Sequence, residues 1–364
     1  LVYRSADGHG KLEIPRLRLR WDYTLFGLQD TSPLDISVQA IEMVYVPAGP
    51  FYVGSGGDET GSLTDGAWGG GAALPLRITS EAALELKQEA GYLWARALIQ
   101  AGTLSNAYPK GYAAFYCMKY ELTQGQYTKY LNQLTAAQAA QRFPGYTGTD
   151  RQTIGGSWPQ YTNAAPERVA NFVNWPDLAA YLAWAGLRPM TELEFEKACR
   201  GIKQPLANEY PWGDTTYINQ TGYIGTDGSG TETADPIDAN SGALGPVRAG
   251  IFARPDSDRI LSGASYWGIM QLGGNVNERV VSLGQAGWSF SGSQGAGFLG
   301  ATGLALNEDW PANDTAAGSG FRGGSWSGYA NQQRTSHREH ATTANITRHK
   351  AYSGRGVRTA PPDF

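Results

Sequence analysis

The chain has 364 residues, 41% apolar and 17% charged, with a formal net charge of −4. That is enough for one large core or two ordinary ones. The mild acidity offers no basic field for nucleic acid, and no apolar run reaches membrane-spanning length.

Residues 1–40 are expected as an N-terminal β segment packed on the main domain. In "KLEIPRLRLRWDY", Leu17, Leu19 and Trp21 alternate with Arg16, Arg18 and Arg20, the period of a half-exposed strand. Two short strands follow around Pro47-Ala48-Gly49-Pro50, and residues 56–78 are Gly-rich and loop-like. From Ser80 to Gly102 the spacing of Leu84, Leu86, Leu93, Trp94, Ala97 and Leu98 predicts a helix. A strand at 115–118 leads into a helix opened by Thr123 and Gln126 at capping-box spacing, with Tyr127, Tyr130, Leu131 and Leu134 as its apolar stripe. A further helix is capped by Asn174 and ended by Gly186. Another is capped by Thr191, boxed by Glu194 and stopped by Gly201. Beyond residue 205 the chain reads as short strands in Gly-, Asp-, Asn- and Ser-rich loops. The fold class is therefore α+β with much irregular structure.

Glycines number 48, beside 11 Trp and 20 Tyr, and cysteines only two. Cys117 and Cys199 cannot make a disulfide framework and are expected as buried free thiols. No signal-peptide pattern is visible, and the first residue is Leu rather than Met, which leaves room for an upstream segment. Three of the four histidines, His337, His340 and His349, fall in the stretch "QRTSHREHATTANITRHKAYSGRGVR" at 333–358. His337, Glu339 and His340 offer nitrogen and oxygen ligands. On a helix the two histidines would share a face, and on a strand they would not. The Thr, Ser, Asn and Gly around them argue against a helix, and so against a transition-metal site.

Seven segments in order resemble the formylglycine-generating enzyme-type domain, also called the sulfatase-modifying-factor domain, a branch of the C-type lectin-like folds. They are "MVYVPAGPFYVGS" (43–55), "YCMKYELTQGQYTKYLN" (116–132), "NFVNWPDLAAYLAWAGLRPMTELEFEKACRG" (171–201), "YPWGD" (210–214), "GGNVNERV" (273–280), "FRGGSW" (321–326) and "GRGVR" (354–358). The resemblance implies that residues 41–364 form one such domain, with insertions at 57–112 and 286–318.

Enzymes of this family use two cysteines shortly after the Gly-Gly-Ser-Trp motif to bind copper as thiolates and activate oxygen. Gly323-Gly324-Ser325-Trp326 is present here, but no cysteine follows Cys199. Copper and formylglycine generation are therefore not expected. The sulfoxide synthases of the family bind iron through histidines of a separate helical domain, and this chain has only His9 before residue 337. The resemblance implies structural calcium at Gln271, Gly274, Val276 and Glu278, all hard oxygen donors. Asn277 departs from the family's Trp, and Gln271 is a weaker match than Asn; a plain buried ion pair for Glu278 is the competing expectation. A second calcium is placed at Asn219 and Asp227.

The segment within 321–358 resembles the variable region of diversity-generating retroelement proteins, where randomised adenines rewrite a C-terminal lectin-type surface. From Ser327 to Arg355, all but Gln332, Gln333, Glu339 and Lys350 can be written with a codon ending in C, as mutated Asn codons require. The expected ligand-binding residues are Trp326, Tyr329, Asn331, Arg334, Ser336, His337, His340, Asn345, His349 and Tyr352. Tyr, Ser and Asn supply the same adaptable contacts in antibody paratopes. The function expected is non-catalytic binding of a protein or carbohydrate, with a cell surface, a secreted form or a phage particle as settings and no nucleic acid or membrane span. The alternative is a metal- or oxygen-dependent enzyme of the family with an altered site.

Overall fold

The computed structural model describes residues 16–34, 36–67, 73–217, 223–234 and 244–361. The chain divides into two compact units, 1–41 and 42–364. In the first, the described residues hold one 3-10 turn, Tyr23–Phe26, closed by Gly27 at φ 72°. The strand expected over the Leu/Arg alternation is not formed between residues 16 and 22.

The second unit begins with β1 (Met43–Val46) and β2 (Phe51–Val53). The helix expected at 80–102 is replaced by short strands. They are β3 (Leu63–Thr64), β4 (Leu76–Ile78), β5 (Leu84–Leu86), β6 (Trp94–Ala95) and β7 (Gly102–Leu104). Their antiparallel pairs are β2 with β4, β3 with β6 and β5 with β7. Leu84 and Leu86 obey the period of two better than that of a helix. Gly91, at φ 91°, turns the chain between β5 and β6 where a helix would have needed to continue.

Next come β8 (Phe115–Met118) and four helices, α1 (Gln124–Gln133), α2 (Ala136–Arg142), α3 (Trp175–Trp184) and α4 (Glu192–Arg200). The expected capping boxes of α1 and α4 are both formed. Asn174 caps α3, which ends at Ala185 with Gly186 left-handed at φ 67°. The second half carries β9 (Tyr223–Ile224), β10 (Thr233–Ala234), β11 (Asn277–Val281), β12 (Ser319–Arg322), β13 (Tyr352–Ser353) and β14 (Val357–Thr359). One sheet runs β1-β8-β14 and another β12-β11-β13. Val46, Phe115, Cys117, Phe195, Cys199 and Val357 share the main core between these sheets and α4. Cys117 and Cys199 are free and buried, as expected.

Candidate functional site

The β12-β11-β13 sheet sets the site by its register. Arg279 of β11 faces Phe321 of β12, and Asn277 faces Tyr352 of the parallel β13. Glu278 faces Arg322 and Ser353. Because strand side chains alternate, Asn277, Arg279, Phe321 and Tyr352 share one face. Glu278, Arg322 and Ser353 take the other, toward the core.

On the core face Arg322 pairs with Glu192 at 2.9 Å and Glu196 at 3.0 Å. Arg338 pairs with Glu192 at 2.6 Å, and Arg200 joins Glu196 at 3.2 Å and also Glu209. Three arginines thus meet three glutamates with no residual charge. Ser336 belongs to this network: its hydroxyl donates to Glu196 at 3.1 Å and accepts from Arg200 at 2.9 Å. The insertion closes over it, since the carbonyls of Thr60 and Gly61 accept from Arg338 at 2.8 and 2.7 Å.

The opposite face carries a cavity of about 170 Å³. Phe321 and Tyr352 form its aromatic wall, with ring centroids 4.2 Å apart, and His349 stands 4.7 Å from Tyr352. Asn277, Ser325, Ser327, Gln332, His340 and Thr343 supply polar lining. Behind the wall lies Arg279, its guanidinium carbon 3.8 Å from the Phe321 centroid and 5.5 Å from that of Tyr352. Burial pushes it down to about 9. The motif "FRGGSW" turns the chain from this sheet to the cavity rim: Gly323 and Gly324 sit at φ 83° and 66°, a region open to Gly at no steric cost. Trp326 then anchors the rim, 9% exposed, its indole donating to the Lys350 carbonyl at 3.3 Å.

The expected ligand-binding residues divide accordingly. Tyr329, Asn331, His340 and His349 are exposed, and the two histidines line the cavity. Tyr352 and Asn345 are half-buried, and Asn345 gives its carbonyl to Arg279. Arg334 is half-buried and donates to Asn208 at 2.8 Å. Ser336 and His337 are buried, which corrects their placement on an exposed surface. Burial pushes the His337 imidazole down to about 4, and its Nε2 lies 3.3 Å from the Glu339 carboxylate. Sequence reading missed Asn277, Phe321, Thr343 and Arg279. Only strand alternation at 277–281 could have flagged two of them.

Two of the residues expected to hold calcium, Glu278 and Gln271, have other partners. Both oxygens of Glu278 accept from Arg355, at 2.6 and 2.7 Å, and the same guanidinium donates to the carbonyls of Met270 and Gln271. The Gln271 side chain accepts from the Gly250 amide at 2.6 Å. The competing expectation for Glu278, a buried ion pair, is what the structure has. Asp227 faces Arg151 and Arg168, and Asn219 lies outside the described residues. Among the described residues no group of three or more His, Cys, Asp and Glu side chains is arranged to hold a metal ion.

The family model of the sulfatase-modifying factor enzyme 1-like domain matches residues 30–360. A hercynine oxygenase from Mycolicibacterium thermoresistibile is 29% identical over 178 residues, 48% of this chain and 32% of that protein. The match thus spans about a third of that relative's length. Among solved structures, PvdO from Pseudomonas aeruginosa aligns with a TM-score of 0.42 and 19% identity, over 88% of this chain and 95% of that one. Treponema denticola variable protein 1 aligns with a TM-score of 0.41 and 12% identity, over 87% and 95%. Among the described residues no helix is long and apolar enough to cross a membrane.

Proposed function

Since the chain belongs to the sulfatase-modifying factor enzyme 1-like family, with its C-type lectin-like fold, we propose that it is a binding protein that has kept the family's framework and not its oxygen chemistry. The observation that carries this reading is the cavity between β11, β12 and β13, lined in part by the exposed His340 and His349, with the exposed Tyr329 and Asn331 in the same segment. Residues 335–338 of the same segment are instead tied into the core. Both cysteines support it too. They are buried in the core, and burial pushes the Cys117 thiol up to about 12, the reverse of what a thiolate metal ligand needs.

In this reading the exposed tail positions are the ones diversified by a retroelement, and the ligand is a protein or carbohydrate on a cell surface. The test has two arms. The gene's 3′ flank should hold a near-copy of the tail's coding sequence, differing at adenines, beside a reverse transcriptase. The chain should also capture a ligand from arrayed glycans or surface proteins, and lose it when Tyr329, Asn331, His340 and His349 are replaced together by alanine. A ligand held equally by parent and variant would place binding elsewhere.

The second reading, a metal- or oxygen-dependent enzyme with an altered site, is favoured by the likeness to hercynine oxygenase. Its test is turnover. Incubation with oxygen, iron or copper, and either hercynine plus a cysteine-type thiol co-substrate or a sulfatase-type cysteine peptide plus a thiol reductant should yield no sulfoxide and no aldehyde if the binding reading holds. Stoichiometric product would reverse the order of the two.

A further inference from the structure

Six arginines are among the largest fully buried side chains: Arg188, Arg200, Arg279, Arg322, Arg338 and Arg355. Five of them are paired with a carboxylate within 3.2 Å. Arg279 has none among the described residues. It donates to the Ser319 hydroxyl at 3.1 Å and to the carbonyls of Thr343 and Asn345, and its buried Nε finds no partner. A buried cation left without its counter-charge is costly, and a protein that pairs five of six such groups has an exception to account for.

The exception lies directly behind the cavity. Phe321, Tyr352 and Thr343 line that cavity, and all three touch or approach the guanidinium. With rings and backbone between, rather than water, the charge is weakly screened and its field reaches the cavity. The lining adds neutral donors, the hydroxyls of Ser325, Ser327 and Thr343 and the amide of Asn277, and no carboxylate. Glu339 lies outside the lining; its carboxylate is engaged by Gln332 and His337 and stands 3.9 Å from the His340 ring nitrogen. One cation facing neutral donors and two flat rings suits a singly charged planar acid.

We propose that the cavity between β11, β12 and β13 binds a carboxylate carried on a compact ring or short chain, with Arg279 as its counter-charge. The proposal rests on the binding reading above and names the chemistry of its ligand. The same carboxylate could come from a free ring acid or from an acidic side chain of a partner protein.

The experiment titrates the full chain with benzoate, glucuronate and N-acetylglutamate amide, each beside a neutral counterpart: benzamide, glucose and N-acetylglutamine amide. Calorimetry or saturation-transfer NMR reads binding. At least one acid should bind ten-fold or more tightly than its neutral counterpart. Thr343→Trp, which fills the cavity from its half-exposed edge, should abolish that binding while circular dichroism stays native. Binding by the ring acids assigns the site to a free acid, and binding by the glutamate derivative alone assigns it to an acidic side chain. Arg279→Gln should erase the preference for the charged member if it folds; if it unfolds, Thr343→Trp decides. Equal binding of acids and neutral counterparts, no binding of any acid, or acids bound undiminished by Thr343→Trp would each overturn the proposal. If the arrayed ligand is still lost on replacing Tyr329, Asn331, His340 and His349, the binding surface stands without the carboxylate.

Discussion

At the scale of single residues the molecule is governed by charges taken out of water. Arg355 gives its guanidinium to Glu278 and to four backbone carbonyls, those of Met118, Lys119, Met270 and Gln271. It thus meets Glu278 and the Gln271 carbonyl, two of the four groups expected to hold calcium. Removing one partner of a buried pair strands the other, so Arg355→Met should cost roughly 3–5 kcal/mol, and Arg355→Met with Glu278→Gln should recover part of it. Chelation should leave the parent's melting temperature unchanged; a calcium-dependent rise would return Glu278 to the metal. His337 gives a second measurement. Burial holds its folded-state affinity for protons near 4, against an ordinary 6.5. Above 6.5 both states are neutral and the burial is free of charge cost. As pH falls from 6.5 toward 4 the unfolded chain takes up a proton that the folded one refuses, and stability is lost, up to about 3 kcal/mol. Unfolding followed from pH 7 to 4 should show this slope in the parent, and a shallower one in His337→Gln.

At the scale of elements, what the sequence revealed was what is encoded locally. Three helices were legible because a capping box is written in four adjacent residues, and Thr123 with Gln126 or Thr191 with Glu194 needs no distant partner to be recognised. The fourth, α2, carries the same signature in Thr135 and Gln138, but its face, "AAQAAQR", has no large apolar stripe to announce a helix. The strands between 63 and 104 were not legible, since each is two or three residues long and owes its form to a partner across the fold. The box on α4 is more than a cap. Glu194 accepts from the Thr191 amide at 3.0 Å and also takes Arg188, at 2.6 and 2.9 Å. Thr191→Ala should then cost about 1 kcal/mol, the usual loss of a cap. Glu194→Ala, which also strands a buried guanidinium, should cost several times as much. Equal losses in denaturant unfolding would show that the ion pair contributes little.

At the scale of the whole molecule, the C-terminal segment is a surface and a core member in alternation, and composition hides this. Its polar residues look alike in sequence, yet Ser336 and Arg338 are buried against α4 and the inserted strands, while Tyr329 is 77% exposed. A polar residue reads as solvated unless its partners are known, and here the partners lie 130 residues and more away, at Glu192, Glu196, Arg200 and Thr60. The framework that any diversified surface must spare is therefore larger than the flanking "FRGGSW" and "GRGVR". It includes residues 335–338, pinned from one side by α4 and from the other by the insertion. Exposed substitutions commonly move stability by within ~0.5 kcal/mol each. Replacing Tyr329, Asn331, His340 and His349 together by alanine should therefore leave the unfolding free energy within about 2 kcal/mol of the parent's. Arg338→Ala alone should cost roughly 3–5 kcal/mol, because Glu192 loses two of its charge-assisted bonds and the carbonyls of Gly61 and Ala97 lose their donor. If the fourfold variant unfolds as readily as Arg338→Ala, the four side chains belong to the packed framework, and a surface free to vary there is ruled out.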